Sequence, residues 1–263
     1  MKTEFNSVTL SNDLKKKIKG KVLFDEFSRG RYSTDASLYQ IKPIGVVLPK
    51  DQFDVLNIIE YSQKNSIPLL ARGGGSSQCG QTVGECIVLD YSKYQNKILE
   101  FNAKEKFVWV EPGIVLDQLN EYLKPHGLWF PVDVSTSSRA TIGGMTGNNS
   151  CGSRSLYYGN MVNNVLAVES ILDDGSIHTF ENIDKNYLSK TNDQNRKFQI
   201  IKKCIDIREQ VENEINEHWP KTQRRVGGYN IDLINPNGFN SSNILLGSEG
   251  TLSLFNKIKL KLS

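Results

Sequence analysis

No run of about 18 consecutive apolar residues occurs in this chain of 263, which argues against a helix crossing a bilayer. Nor does an apolar signal core follow Met1-Lys2-Thr3-Glu4-Phe5-Asn6. Cysteine is sparse: Cys79, Cys86, Cys151 and Cys204 form no CxxC pair and have no histidine close by. That spacing argues against a disulfide framework or zinc site, and no metal is expected. Reduced thiols fit the cytoplasm, free or at the inner face of the membrane. Charge of one sign is lacking too, with 32 Lys and Arg against 29 Asp and Glu and a net charge of +3. So small a surplus leaves no electrostatic footprint for a nucleic acid.

What is present suits a globular protein: 38% hydrophobic and 23% charged residues, in a length able to fill one large domain or two packed lobes. The first 40 residues read as a lead-in with a short polar helix over 12–19. Gly45-Val46-Val47-Leu48 reads as a buried strand, and Val55, Ile58, Ile59 and Ser62 share one face of a helix over 52–65. Ile67-Pro68-Leu69-Leu70-Ala71 returns as a strand. Further strands are expected at 87–90, near 97–101 and at 107–110, and a helix over 115–123 ends at Pro125-His126-Gly127. Asp173-Asp174-Gly175 marks a hairpin between 164–172 and 176–180. A polar helix over 194–218 follows. The final residues alternate Ile258, Leu260 and Leu262 with lysines, and the chain stops inside that strand pattern, as an incomplete protein would.

Three segments are rich in glycine. The first, Arg72-Gly73-Gly74-Gly75-Ser76-Ser77-Gln78-Cys79-Gly80-Gln81, follows a strand. Its triple glycine reads either as a tight turn or as backbone that approaches a phosphate, in which case a side chain at Gly74 would obstruct the ligand. A GxGxxG motif would need glycine where Gln78 stands, and a P-loop would need Lys where Gln81 follows Gly80. The next regular element is a strand rather than a helix, so neither motif fits. The second segment, 140–152, is too polar for a core helix and too ordered for a linker. The third is Leu246-Gly247-Ser248-Glu249-Gly250-Thr251-Leu252. Together with the polar stretch 131–138, they suggest an extended ligand held largely by backbone, a description that FAD meets.

Several segments occur in the order of a known family: Tyr32-Ser33-Thr34-Asp35-Ala36-Ser37, Arg72-Gly73-Gly74-Gly75-Ser76-Ser77, Val110-Glu111-Pro112-Gly113, Phe130-Pro131-Val132-Asp133, Ile142-Gly143-Gly144-Met145, Tyr158-Gly159 and Gly247-Ser248-Glu249-Gly250-Thr251-Leu252. On them the chain resembles the FAD-binding (PCMH-type) domain of the vanillyl-alcohol oxidase and p-cresol methylhydroxylase superfamily. Within it, the D-lactate, glycolate and 2-hydroxyglutarate dehydrogenase branch is the nearest match. The resemblance implies an α+β fold of two subdomains, about 41–105 and 106–263, with FAD between them. It places Arg72, Gly73, Gly74, Gly75, Ser76, Ser77, Gly80 and Gln81 around the pyrophosphate. Thr141, Gly143, Gly144, Asn148, Asn149, Ser150 and Gly152 would approach the flavin and ribityl chain, beside Tyr158 and Gly159. Pro131, Asp133 and Ser135 match the segment beside the cofactor, and Val168 and Ile171 the adenine side. Some relatives attach flavin through a histidine where Gly75, Ser76 and Ser77 stand here, so noncovalent FAD is implied.

The branch transfers a hydride from a 2-hydroxy acid to FAD, with the proton-accepting groups and a metal in a cap domain after the flavin domain. The chain is expected to end before any cap, leaving the catalytic residues unassigned, and a partner chain with cap and iron–sulfur domains is implied. His126, His178 and His218 read as structural or solvated, and Cys79 and Cys151 as small neighbours of FAD. Arg224-Arg225 would either reach an anionic substrate or flavin phosphate, or form a surface pair. A nonenzymatic flavin-binding fragment of a split gene is one alternative. A reductase on the same fold, such as the cell-wall precursor reductase, is another, less in keeping with Val132-Asp133-Val134-Ser135-Thr136-Ser137.

Overall fold

A computed structural model describes residues 7–190, 195–222 and 224–263. The first lobe runs through α1 (Ser7–Lys17), β1 (Lys21–Leu23), α2 (Glu26–Arg31), β2 (Gly45–Leu48), α3 (Gln52–Asn65), β3 (Leu69–Arg72) and β4 (Ile87–Asp90). Its sheet has the order β1-β2-β4-β3, with β4 parallel to both neighbours and β1 antiparallel at the edge. All four residues of β2, and all four of β4, are buried, in keeping with the unbroken apolar runs 45–48 and 87–89, with Asp90 the one charged residue among them. Asp51 caps α3 by accepting from the Asp54 amide at 3.1 Å. The Asp54 carboxylate, almost fully buried, accepts from the amides of Lys19, Gly20 and Lys50, each at 2.8 Å. It thereby pins the chain entering β1 to the start of α3. The segment expected to be a lead-in therefore supplies a strand and two helices, and α1 begins at Ser7 rather than at 12 because Leu10 and Leu14 pack into the core.

The second lobe contains β5 (Ile98–Asn102), β6 (Phe107–Val110), α4 (Leu116–Leu123), α5 (Ile142–Asn148), α6 (Ser155–Tyr158), α7 (Met161–Asn164), β7 (Val165–Ile171), β8 (Ile177–Asp184), α8 (Tyr187–Lys190), α9 (Arg196–Gln210), α10 (Glu212–His218), β9 (Gly238–Asn240) and β10 (Leu254–Lys261). Its antiparallel sheet has the order β5-β6-β10-β7-β8-β9. The sheet changes at β5, so the strand near 98 belongs to the second lobe rather than the first. β10 lies inside this sheet, with Ile258, Leu260 and Leu262 buried. The expected polar helix divides at Val211, whose φ of −108° and ψ of 22° interrupt the helical turn between α9 and α10. Residue 194, its expected start, lies outside the described residues.

The second glycine-rich segment is helical, contrary to the sequence expectation. Glycine disfavours a helix by about 1 kcal/mol per residue, yet α5 forms because Ile142, Met145 and Thr146 are buried and Thr146 Oγ1 donates to the Ile142 carbonyl at 2.8 Å. Tertiary burial outweighs propensity here. No helix among the described residues is long and apolar enough to cross a membrane.

Candidate functional site

A cavity of about 410 Å3 opens between the lobes. One wall is the first glycine segment with Tyr91; the other combines Pro112, the stretch 134–136, α5 with the residues flanking it, Val226 and the third glycine segment. Its size lies within the range of small-molecule sites, roughly 300–1,000 Å3.

The geometry of the first segment follows from close packing. A Cβ on Gly73 would sit 1.9 Å from Thr141 Oγ1, and one on Gly74 would sit 2.2 Å from the Arg139 carbonyl oxygen. Glycine lets this loop press against the turn that leads into α5. The backbone amides of residues 74–78 donate to no other described residue. A run of free N–H groups beside a cavity is suited to an anion. Arg72 lines the same cavity, but its guanidinium donates to the carbonyls of Tyr32 at 3.3 Å, Thr34 at 2.8 Å and Thr82 at 3.0 Å. It also stacks over the Tyr32 ring. Burial lowers its pKa, against the pull of Asp90 and Tyr32. These contacts tie the chain around 32–34 to the base of the loop.

On the opposite wall, α5 turns Gly144 and Asn148 toward open space and buries Met145 and Thr146. Gly144 and Asn148, both on the cavity wall, are four apart and share a helix face. Asn149 follows in a left-handed conformation, φ +51°, and its side chain accepts from the Val162 amide at 3.1 Å. Gln81 from the first wall donates to the Glu249 carboxylate of the second at 3.0 Å. Gln81 Oε1, Tyr91 OH, Asn149 Nδ2 and Ser248 Oγ are buried without a hydrogen-bond partner. Buried polar atoms are normally satisfied, so this concentration at or beside one cavity marks a place for a ligand or ordered water.

Of the residues expected from the sequence, Arg72, Gly73, Gly74, Gly75, Ser76, Ser77, Gln81, Ser135, Thr141, Gly143, Gly144, Asn148 and Ser150 line the cavity. The remainder stand behind it or elsewhere. Gly80 lies against Tyr39, and Pro131 is buried. Asp133 accepts from Ser153 Oγ at 2.7 Å and the Arg154 amide at 3.0 Å. Burial works against its charge, but these hydrogen bonds outweigh it and hold the carboxyl below its ordinary range. A Cβ on Gly152 would sit 2.1 Å from the Asp133 carbonyl oxygen, so Gly152 packs against Asp133 outside the cavity wall. Tyr158 meets Trp129 edge to face, and Gly159 takes φ +77° beside Asn163. Val168 and Ile171 are fully buried in core clusters rather than in the cavity wall, because β7 is an interior strand.

The cavity also uses residues that the sequence did not single out as ligands. Tyr91, Ser253 and Phe255 reach it from the ends of strands and carry no local signal. Glu249 and Gly250 lie in the third glycine segment, which was legible as a loop but not residue by residue. Cys79 and Cys151 line the cavity as free thiols, while none of the three histidines does. Of the arginine pair, Arg225 is held by Asp232 at 2.6 Å, and Arg224 donates to the Gly152 carbonyl at 3.2 Å.

The family model described as an FAD-binding domain matches residues 43–181. The chain belongs to this FAD-binding family. It is 36% identical over 245 residues to a D-2-hydroxyglutarate dehydrogenase of Haemophilus influenzae, covering 88% of this chain and 23% of the relative. It is 31% identical over 219 residues to a D-lactate dehydrogenase of Archaeoglobus fulgidus, covering 82% of this chain and 38% of the relative. The chain thus spans only about a quarter to two fifths of these proteins. Among solved structures, an alkyldihydroxyacetonephosphate synthase superposes with a TM-score of 0.69 at 18% identity, over 99% of this chain and 44% of the other. That likeness establishes the shared fold. FAD also fits the cavity on its own terms: free amides suit its pyrophosphate, and Gly144 and Gly250 on the wall leave space that side chains would fill.

Proposed function

We propose that this chain is the FAD-holding part of a D-2-hydroxy-acid dehydrogenase and binds its cofactor noncovalently. The observation that carries the reading is the cavity between the lobes, lined by residues 74–78, whose amides donate to no other described residue. The names of the relatives favour an oxidoreductase over a nonenzymatic flavin carrier. When bound, FAD supplies the acceptor for the hydride that leaves the hydroxy acid. The protein's part is to bind and orient. The amides at 74–78 meet the pyrophosphate, while α5 and the third glycine segment shape the rest of the slot. Arg72 acts indirectly, by holding the loop that carries those amides.

Gly75, Ser76 and Ser77 stand where some relatives attach flavin through a histidine, and none of the three histidines lines the cavity, which supports noncovalent attachment. The groups that select the hydroxy acid and take its proton are assigned to the parts of the relatives that this chain does not match. Free thiols support a cytoplasmic location. Purified chain should be yellow, and acid precipitation should release all flavin to the supernatant. Flavin retained in the pellet would overturn noncovalent attachment. A colourless chain that takes up no added FAD would overturn the reading itself.

A further inference from the structure

Gln81 and Glu249 lie 168 residues apart on different lobes, yet they meet at 3.0 Å and both line the cavity. Glu249 is the one carboxylate on the described cavity wall. The one cation, Arg72, is committed to three carbonyls. A carboxylate repels pyrophosphate and accepts only from hydroxyl or N–H donors. Glu249 also has φ +51°, a region that non-glycine residues seldom occupy and that recurs at ligand clamps. Its amide donates to the Gly147 carbonyl at 2.9 Å, which holds this backbone against α5. Glu249 itself is exposed, and the next residue, Gly250, has nothing within 4 Å of where a Cβ would stand. The Oε1 half of the Gln81 carboxamide is buried and unpaired, so the closed pair leaves one acceptor unsatisfied.

We infer that the Gln81–Glu249 hydrogen bond is a latch exchanged on cofactor binding. The Glu249 carboxylate releases Gln81 and accepts a hydroxyl or ring N–H donor of FAD, coupling the two lobes to occupancy of the slot. The inference rests on the FAD reading above. Donors of this chemistry occur at both the ribityl–flavin end and the adenosine end of FAD, and the test separates them.

The full chain is freed of flavin and titrated with FAD, riboflavin and ADP, as wild type, Glu249→Ala and Glu249→Gln. Loss of a charge-assisted hydrogen bond should weaken FAD by about tenfold or more in Glu249→Ala, with partial rescue in Glu249→Gln, which keeps an acceptor oxygen. A loss carried by riboflavin assigns the donor to the ribityl–flavin end, one carried by ADP assigns it to the adenosine end, and a loss in neither overturns the exchange. Unchanged or tighter FAD binding in Glu249→Ala also overturns it, since a carboxylate facing phosphate would be repulsive. A second measurement is amide exchange at 247–252, which Gln81→Ala should speed in the flavin-free chain and added FAD should restore. Equal exchange in both flavin-free proteins would remove the latch. If wild type binds no FAD, the functional reading fails instead.

Discussion

A methyl group built on Gly74 would stand 2.2 Å from the carbonyl oxygen of Arg139, on the neighbouring turn. The sequence suggests that glycine here admits a phosphate, but the structure gives the protein's own backbone as the first obstacle. Gly74→Ala should therefore lower the melting temperature of the flavin-free chain, at a cost of about 1–3 kcal/mol, the usual range for forced overpacking. Gly144 makes the contrasting case. It faces the cavity from α5, and its nearest neighbour is Thr141 Oγ1 at 3.4 Å. Gly144→Leu should leave the flavin-free fold as stable or more stable, by up to about 1 kcal/mol from helix propensity. The same variant should weaken FAD at least about tenfold, equivalent to roughly 1.4 kcal/mol. Thermal melts and FAD titrations of the two variants measure this split. Equal FAD affinity in Gly144→Leu and wild type would move the cofactor away from this helix face.

Among the elements, β10 shows how far a local pattern can be read. Its alternation of lysine with Ile258, Leu260 and Leu262 marks an amphipathic strand, but its interior position comes from pairing with β6 on one side and β7 on the other. Ile258 is fully buried opposite Val110 and Val168. Ile258→Ala should cost about 2–5 kcal/mol, the range for deleting a core side chain, whereas exposed Lys261→Ala should stay within about 0.5 kcal/mol. Urea denaturation of both variants checks the contrast, and similar midpoints would mean that the strand contributes little to the core. α5 is the converse case. Its glycines argue against a helix, and burial of Ile142, Met145 and Thr146 in the second lobe stabilises one.

For the whole molecule, the cavity couples two lobes that already share packing. Ile171 and Leu254 of the second lobe pack in the core cluster of the first, and Asn256 donates to Gln52 at 2.7 Å. A ligand touching both walls binds the folded arrangement and not the unfolded chain. FAD at about a hundred times its Kd should add roughly 2.7 kcal/mol of stability. For a chain of this size that corresponds to a rise in Tm of about 5–11 °C. Differential scanning fluorimetry with and without FAD gives the measurement, and a Tm independent of FAD would contradict binding between the lobes.

The sequence by itself determined the short apolar strands Gly45–Leu48 and Ile87–Asp90, the course of α3, the hairpin at Asp174-Gly175 and the three glycine-rich segments. These depend on spacing and backbone preferences within a few residues, so the local chain carries them. Tertiary structure decided the order β1-β2-β4-β3, the helical state of α5, the burial of Val168 and Ile171 away from the cavity, and the use of Arg72 as a tie between loops. It also brought Gln81 to Glu249 across the cavity. Each of these depends on contacts between residues distant in sequence, where the surroundings of a side chain, rather than its immediate neighbours in the chain, set which interaction is most favourable.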